Sequence, residues 1–266
     1  QQTEECLEGL SHVRVERKGR FLTDSILEAH RINSPYLLEG SDKTFFNAIK
    51  QEVGAMDAGP VDRKKLAETL LKYDIGSLLH GVFLAKKDLA GGRLRIARAL
   101  SAFIEAEGVR IAASGGVKND AVNPSGDTKS GFGNVPFSRD EYTADKISLY
   151  VNLDLSQIRG YGLGEKAERL LVLLALYKLR KLISGDLRLR TACDLTPAMQ
   201  NVISTNISNF PLPELEVLAE ETQKAIGACR ECMQVTTVKF DDELKSAKES
   251  KDDKDAADED EAGAEA

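Results

Sequence analysis

ASGGVKNDAVNPSGDTKSGFGNVPFSRDEYTADKISLYVNLDLSQIRGYGLG, residues 113–164, is the stretch from which the rest of the chain can be placed. A Gly/Asn/Asp/Ser-rich excursion carrying Lys118, Lys129 and Arg139 runs into an alternating segment. There Ile147, Leu149, Val151, Leu153 and Leu155 interleave with Ser148, Tyr150, Asn152 and Asp154. Alternation of period two is a strand signal. Pro124-Ser125-Gly126-Asp127 is turn chemistry. Phe132 and Phe137 lie among polar residues with no core period. A long loop inside a compact domain is functional or disordered. Rings between cations and glycines suit a reader of single-stranded nucleic acid, where rings stack on bases and cations follow phosphates. The rival reading is a mobile surface loop with two half-buried rings.

The 266 residues leave room for one large domain or two small ones, with 42% hydrophobic and 30% charged residues. No apolar run reaches the length of a membrane span, about 20 residues. Four irregularly spaced cysteines argue against a disulfide scaffold and suit a reducing, cytoplasmic setting. From Asp241 onward 12 carboxylates face 4 lysines, so the net charge of −7 is a tail of −8 on a body of +1. Such a tail lacks the apolar surface to offset ordering entropy, so residues 241–266 are expected to be disordered and residues 1–240 to form the folded part.

Val13, Val15, Phe21, Ile26 and Leu27 mark the first extended segments, with Lys18-Gly19 as a turn. In EAHRINSPYLL, residues 28–38, Pro35 argues against helix and extends Ser34. His30, Arg31, Asn33 and Ser34 gather donors that suit a phosphate or sugar edge, or tie their own loop. Ser41 caps a helix from about Lys43 to Val53, and Asp62 a second one through Lys72. SLLHGVFLA, residues 77–85, reads as a buried strand, with helix as its rival and His80 as a core residue. Arg159-Gly160-Tyr161-Gly162-Leu163-Gly164 feeds a leucine-rich helix from Glu165 to Ser184, closed by Gly185. Free N–H groups there suit an anion, although the glycine spacing matches neither GxGxxG nor a Walker loop. DLRLRTACD, residues 186–194, alternates as a basic strand, a helix spans Glu214 to Cys232, and Val235 to Phe240 forms a last edge strand. Cys229-x-x-Cys232 has no second pair, and the three histidines have no metal spacing, so neither metal nor cofactor is expected.

These elements suggest an α+β fold with an RRM-like or ferredoxin-like βαββαβ core, an inserted hairpin and helical insertions. The runs EAHRINSPYLL, RALSAFIEA, SGGVKND, GFGNVPFSRDEYTA, NLDLSQIRGYGLG and GDLRLRTACDL resemble the large repeated backbone subunit of CRISPR type I surveillance complexes (Cascade). Within the RAMP superfamily the resemblance is to the type I-G branch, formerly I-U. It covers about Asp24 to Leu195. It implies an RRM-like core with a protruding thumb at about 121–139, and copies stacked along a CRISPR RNA. It also implies pairing of target DNA through the guide, other Cascade subunits as neighbours, and a separate recruited nuclease-helicase for cleavage. Base pairing then carries the sequence selectivity while protein grips the guide. Mapped by this resemblance, Lys118, Asn119, Lys129 and Arg139 contact phosphates and Phe132 wedges against an unstacked base. His30, Arg31, Asn33 and Ser34 match the loop after the first strand. Arg159, Gly160, Gly162 and Gly164 match the glycine-rich turn.

The alternative is a RAMP endoribonuclease with Asp24 and His30 as suspects, since some relatives of the superfamily cut RNA. A stand-alone RRM-like monomer is the third possibility.

Overall fold

The computed structural model describes residues 5–56, 59–185, 187, 195–198 and 210–242. In chain order these form β1 (His12–Arg17), β2 (Arg20–Asp24), α1 (Pro35–Leu38), α2 (Thr44–Val53), α3 (Arg63–Tyr73) and α4 (Ile75–His80). Next come β3 (Val82–Leu84), β4 (Leu94–Ile96), β5 (Leu100–Glu107), β6 (Arg110–Lys118), β7 (Val135–Thr143) and β8 (Lys146–Leu153). Last are α5 (Leu155–Gly160), α6 (Glu165–Ile183), α7 (Leu215–Cys229) and β9 (Val235–Lys239). The fold is α+β with small sheets and seven helices among the described residues, compatible with a ferredoxin-like core. It divides into two compact units: a body, residues 1–99 and 154–266, and an insert, Leu100–Leu153.

In the body β1 is the central strand. It pairs antiparallel with β2 and parallel with β9, so the first and last of these strands are neighbours. Val13 and Val15 are fully buried, and Val15 sits in register with buried Val238. Lys18 (φ 49°) and Gly19 (φ 72°) make the expected tight turn, because a two-residue hairpin of this hand needs two positive φ values. α3 begins where the Asp62 side chain accepts the Lys65 N–H. Phe45 of α2 meets Tyr73 of α3 edge-on, ring centres 5.6 Å apart. α6 buries Leu170, Leu171, Leu174 and Tyr177, and α7 packs on it through Leu218, Ala225 and Ile226. Arg180 of α6 is itself buried: its Nε donates to the Pro213 carbonyl at 2.8 Å and its Nη2 to the Leu212 carbonyl. That clamp fixes the chain as it enters α7.

Several local expectations are corrected. Residues 77–85 are not one strand: Gly81 (φ 77°) ends α4 and starts β3, since a Cβ there would press on the Ile96 carbonyl at 2.9 Å. Pro35 starts a helix instead of excluding one; at its first position the missing N–H costs nothing. Ser41 does not cap α2; the Thr44 N–H goes to Asp42. Ile26 and Leu27 are exposed turn residues whose N–H groups bind Asp24. Leu155 does not extend β8, because Asp154 accepts the Gln157 N–H and caps α5. Most of the strand expected over 186–194 lies outside the described residues; Leu187 forms an antiparallel bridge to Leu195. The tail from Glu243 lies outside them as well. Asp241 and Asp242 are tied in: Asp241 accepts the Lys18 N–H at 2.7 Å and Asp242 the Ser41 N–H at 2.9 Å.

The insert is a two-stranded ribbon in two stretches, β5 with β8 and β6 with β7, both antiparallel. Between them Gly108 (φ 63°) makes room for Asp145, which pairs with Arg110.

Replacing Arg180 with leucine strips buried carbonyls of a charged donor. Unfolding in denaturant is expected to show a loss on the order of 3 kcal/mol. An unchanged midpoint would mean that the clamp contributes nothing.

Candidate nucleic-acid interface

In an antiparallel ribbon directly paired residues share a face. In β6 and β7 Ser114 pairs with Arg139, Lys118 with Val135, Gly116 with Phe137, Ala112 with Glu141 and Arg110 with Thr143. One face therefore carries Arg110, Lys118, Arg139 and Phe137, with two carboxylates set against the cations: Glu141 on that face and Asp145, the partner of Arg110. Arg139 spends part of its charge on Glu141, 2.6 Å away on the same exposed strand face; such pairs contribute little and exchange readily. The Phe137 ring lies against Gly116, where any side chain would meet it at 3.3 Å. The opposite face carries Ile111, Val117, Pro136, Asp140 and Tyr142.

The tip, residues 119–134, is a compact knot. The Asp120 carboxylate accepts the N–H groups of Val122, Asn123 and Gly133, which holds its pKa below the usual carboxylate range. Asp127 accepts from the Lys129 N–H and the Ser130 hydroxyl. Gly133 (φ 84°) has no room for a Cβ, which would collide with the Gly126 carbonyl oxygen. Lys129 and Asn119 are exposed on this frame. Phe132 is about half exposed, at 46%. The tip and ribbon thus bring together Lys118, Asn119, Lys129, Phe132 and Arg139 within one unit. Sequence reading missed Arg110 as a member of the set, and it named Phe137 as a candidate stacking ring without giving it a place on this face. Arg110 has the same parity as Ser114 and Lys118, and that was the available signal.

The remaining expected residues lie in the body. Asn33 and Ser34 are tied locally: the Asn33 side chain accepts the Ala85 N–H at 3.1 Å and the Ser34 hydroxyl donates to the Arg31 carbonyl at 2.7 Å. His30 is exposed. Asp24 is engaged with the Ile26 and Leu27 N–H groups. Arg31 has a left-handed backbone (φ 49°), and its guanidinium approaches Gly76 and Asp74. There a polar group forms that the sequence did not announce. Asp74 is fully buried; Ser77 donates to its Oδ2 at 2.6 Å and its Oδ1 has no partner. Burial pushes its carboxyl toward the protonated form. Lys178 Nζ lies 2.7 Å from His80 Nε2. Burial, then the Arg31 charge, push Lys178 down to about 8. Burial, then Lys178, push His80 down to about 4.

Gly160 ends α5, and Gly162 (φ 66°) and Gly164 (φ 85°) turn the chain into α6. The first turn of α6 holds Glu165 and Glu168, whose charges oppose an anion at that helix end. Arg159 borders an open groove with both glutamates and Arg169. Among the described residues no three His, Cys, Asp or Glu side chains are grouped to hold a metal, and no helix is long and apolar enough to cross a membrane.

Residues 1–111 match the family described as CRISPR-associated protein GSU0053. The match supports a CRISPR-associated protein with a role in CRISPR defence. No curated protein matches the chain.

Because folded His80 binds its proton only near pH 4, the unfolded chain takes up a proton first as pH falls through about 6.5. His80 therefore lowers stability progressively between those values. In His80→Gln, whose amide oxygen still accepts from Lys178, the loss over this window is expected to be shallower in thermal melts. Parallel pH profiles would show that His80 does not titrate there.

Proposed function

We propose that the chain is a non-catalytic backbone subunit of a type I CRISPR surveillance complex, of the type I-G branch, binding CRISPR RNA in several copies. The observation that carries this reading is the one-sided ribbon: Arg110, Lys118, Arg139 and Phe137 on one face, above a rigid tip that displays Lys129 and Phe132. Cations at strand spacing suit a sugar-phosphate backbone, and exposed rings suit unstacked bases. An open ribbon face suits a grip on the backbone better than a reading of base edges, so selectivity passes to pairing between guide and target DNA. The family match over residues 1–111 supports a role in CRISPR defence and points in the same direction. The partners are further copies of the chain, other Cascade subunits and a recruited nuclease-helicase, in the cytoplasm.

Asp24 Oδ1 accepts two backbone N–H groups, a turn-holding role that supports the non-catalytic reading over the endoribonuclease one. Incubation with guide and target RNA, with and without magnesium, is expected to leave both intact. Specific cuts that disappear in Asp24→Ala would overturn it.

The double variant Lys118→Ala/Arg139→Ala is expected to bind single-stranded RNA more weakly. Its log-affinity against log-salt line should be shallower by about 0.7 for each phosphate no longer neutralised. An unchanged slope would remove both residues from the interface.

A further inference from the structure

Three lysines of the body meet at one ring. Nζ of Lys43, Lys50 and Lys86 lies 5.7, 5.9 and 5.2 Å from the centre of the Phe46 ring on α2. Phe46 itself is buried, as expected where lysine stems cover an aromatic face and keep their heads in water. Lys43 and Lys86 are drawn closer still, since both donate to the Leu38 carbonyl, at 3.3 and 3.5 Å. Like charges gathered in this way repel, and their carboxylate partners are loose. Glu39 stands 3.5 Å from Lys86 and Asp88 3.6 Å from Lys50, each more than half exposed, and exposed pairs of this kind exchange readily. Among the described residues no carboxylate lies within ion-pair distance of Lys43.

A reciprocal clasp brings the acidic end of the chain to this place. Asp42 accepts the Lys239 N–H at 3.0 Å where β9 ends, and Asp242 accepts the Ser41 N–H at 2.9 Å, two residues before Lys43. Arg17 Nη2 donates to the Asp242 carbonyl at 3.3 Å, and the Phe240 ring meets Tyr36 edge-on. The hydrogen bonds of Ser41, and then the charge of Lys43, hold the Asp242 carboxyl below the usual carboxylate range. The next residue, Glu243, opens the run 243–266, which carries 10 carboxylates against 4 lysines. Docking of a tethered segment is intramolecular, with an effective concentration on the order of millimolar, so contacts too weak to hold a free peptide suffice.

We propose that Lys43, Lys50 and Lys86 form a docking surface for the chain's own acidic run, residues 243–266, which thereby shields this face of the body from other polyanions. The proposal does not draw on the ribbon interface or on the function assigned to it.

Zero-length carbodiimide coupling of the full chain, mapped by mass spectrometry, tests the surface directly. Amide links from carboxylates of 243–266 to Lys43, Lys50 and Lys86 are expected within one copy at low salt, and they should fade as salt screens the charges. Links no more frequent there than at the exposed Lys64 and Lys224 overturn the proposal. Links that join two copies, seen as a covalent dimer, assign the surface to a second copy and overturn it as well. A full-length variant with a neutral run, Asp258→Asn/Glu259→Gln/Asp260→Asn/Glu261→Gln, should label severalfold faster with an acetylating reagent at the three lysines and no faster at Lys64. Equal labelling in the two chains counts against the acidic run as occupant. Polyphosphate then reads the shielding. It should bind the neutral-run variant more tightly than wild type, and Lys43→Gln/Lys50→Gln/Lys86→Gln should remove that gain. A gain that survives the lysine changes places the effect elsewhere and overturns the surface; should the triple variant fail to fold, the coupling map of wild type decides alone.

Discussion

A two-stranded ribbon cannot bury its own faces, and that constraint shapes the insert. With no third strand or helix in the unit, apolar side chains on either face stay in water unless something else covers them. Phe103, Ile111, Val117, Tyr142 and Ile147 are all exposed. Stability must then come from backbone pairing, cross-strand packing and local locks. Phe103 stacks on its register partner Tyr150 with centres 4.7 Å apart, and Asp120 gathers three N–H groups at the tip. A surface left uncovered for this reason is free for ligands, and its alternation sorts cations to one side.

The body solves the opposite problem. It closes because β9 returns to lie beside β1, burying Val13, Val15 and Val238. Packing against α7 and α4 holds α6, which in turn presents Lys178 to His80. The polar group of Arg31, Asp74, His80 and Lys178 is therefore a product of packing between distant segments, with Asp74 fully buried.

Carboxylates in this chain work largely as acceptors for turn N–H groups. Asp24, Asp42, Asp62, Asp120, Asp127, Asp154, Asp241 and Asp242 each hold at least one backbone donor. A net charge of −7 thus says little about the field over any one face. At the ribbon the cations stand out from the strand while Asp120 and Asp127 turn inward to the tip.

Local order was legible wherever one physical signal dominated. The Lys18-Gly19 turn, the Asp62 cap, the leucine pattern of α6 and the alternation of β8 could each be read from neighbouring residues. SLLHGVFLA failed because a short apolar run has no decisive period, and Gly81 splits it only where the Ile96 carbonyl leaves no room for a side chain. Periods, caps and turns were written in the order of residues, since each depends on neighbours a few positions away. The parallel pairing of β1 with β9, the ribbon face that Arg110 and Phe137 share with Lys118, and the meeting of Arg31, His80 and Lys178 emerged only on folding. Those follow from register and packing between segments far apart in the chain, which no local pattern encodes.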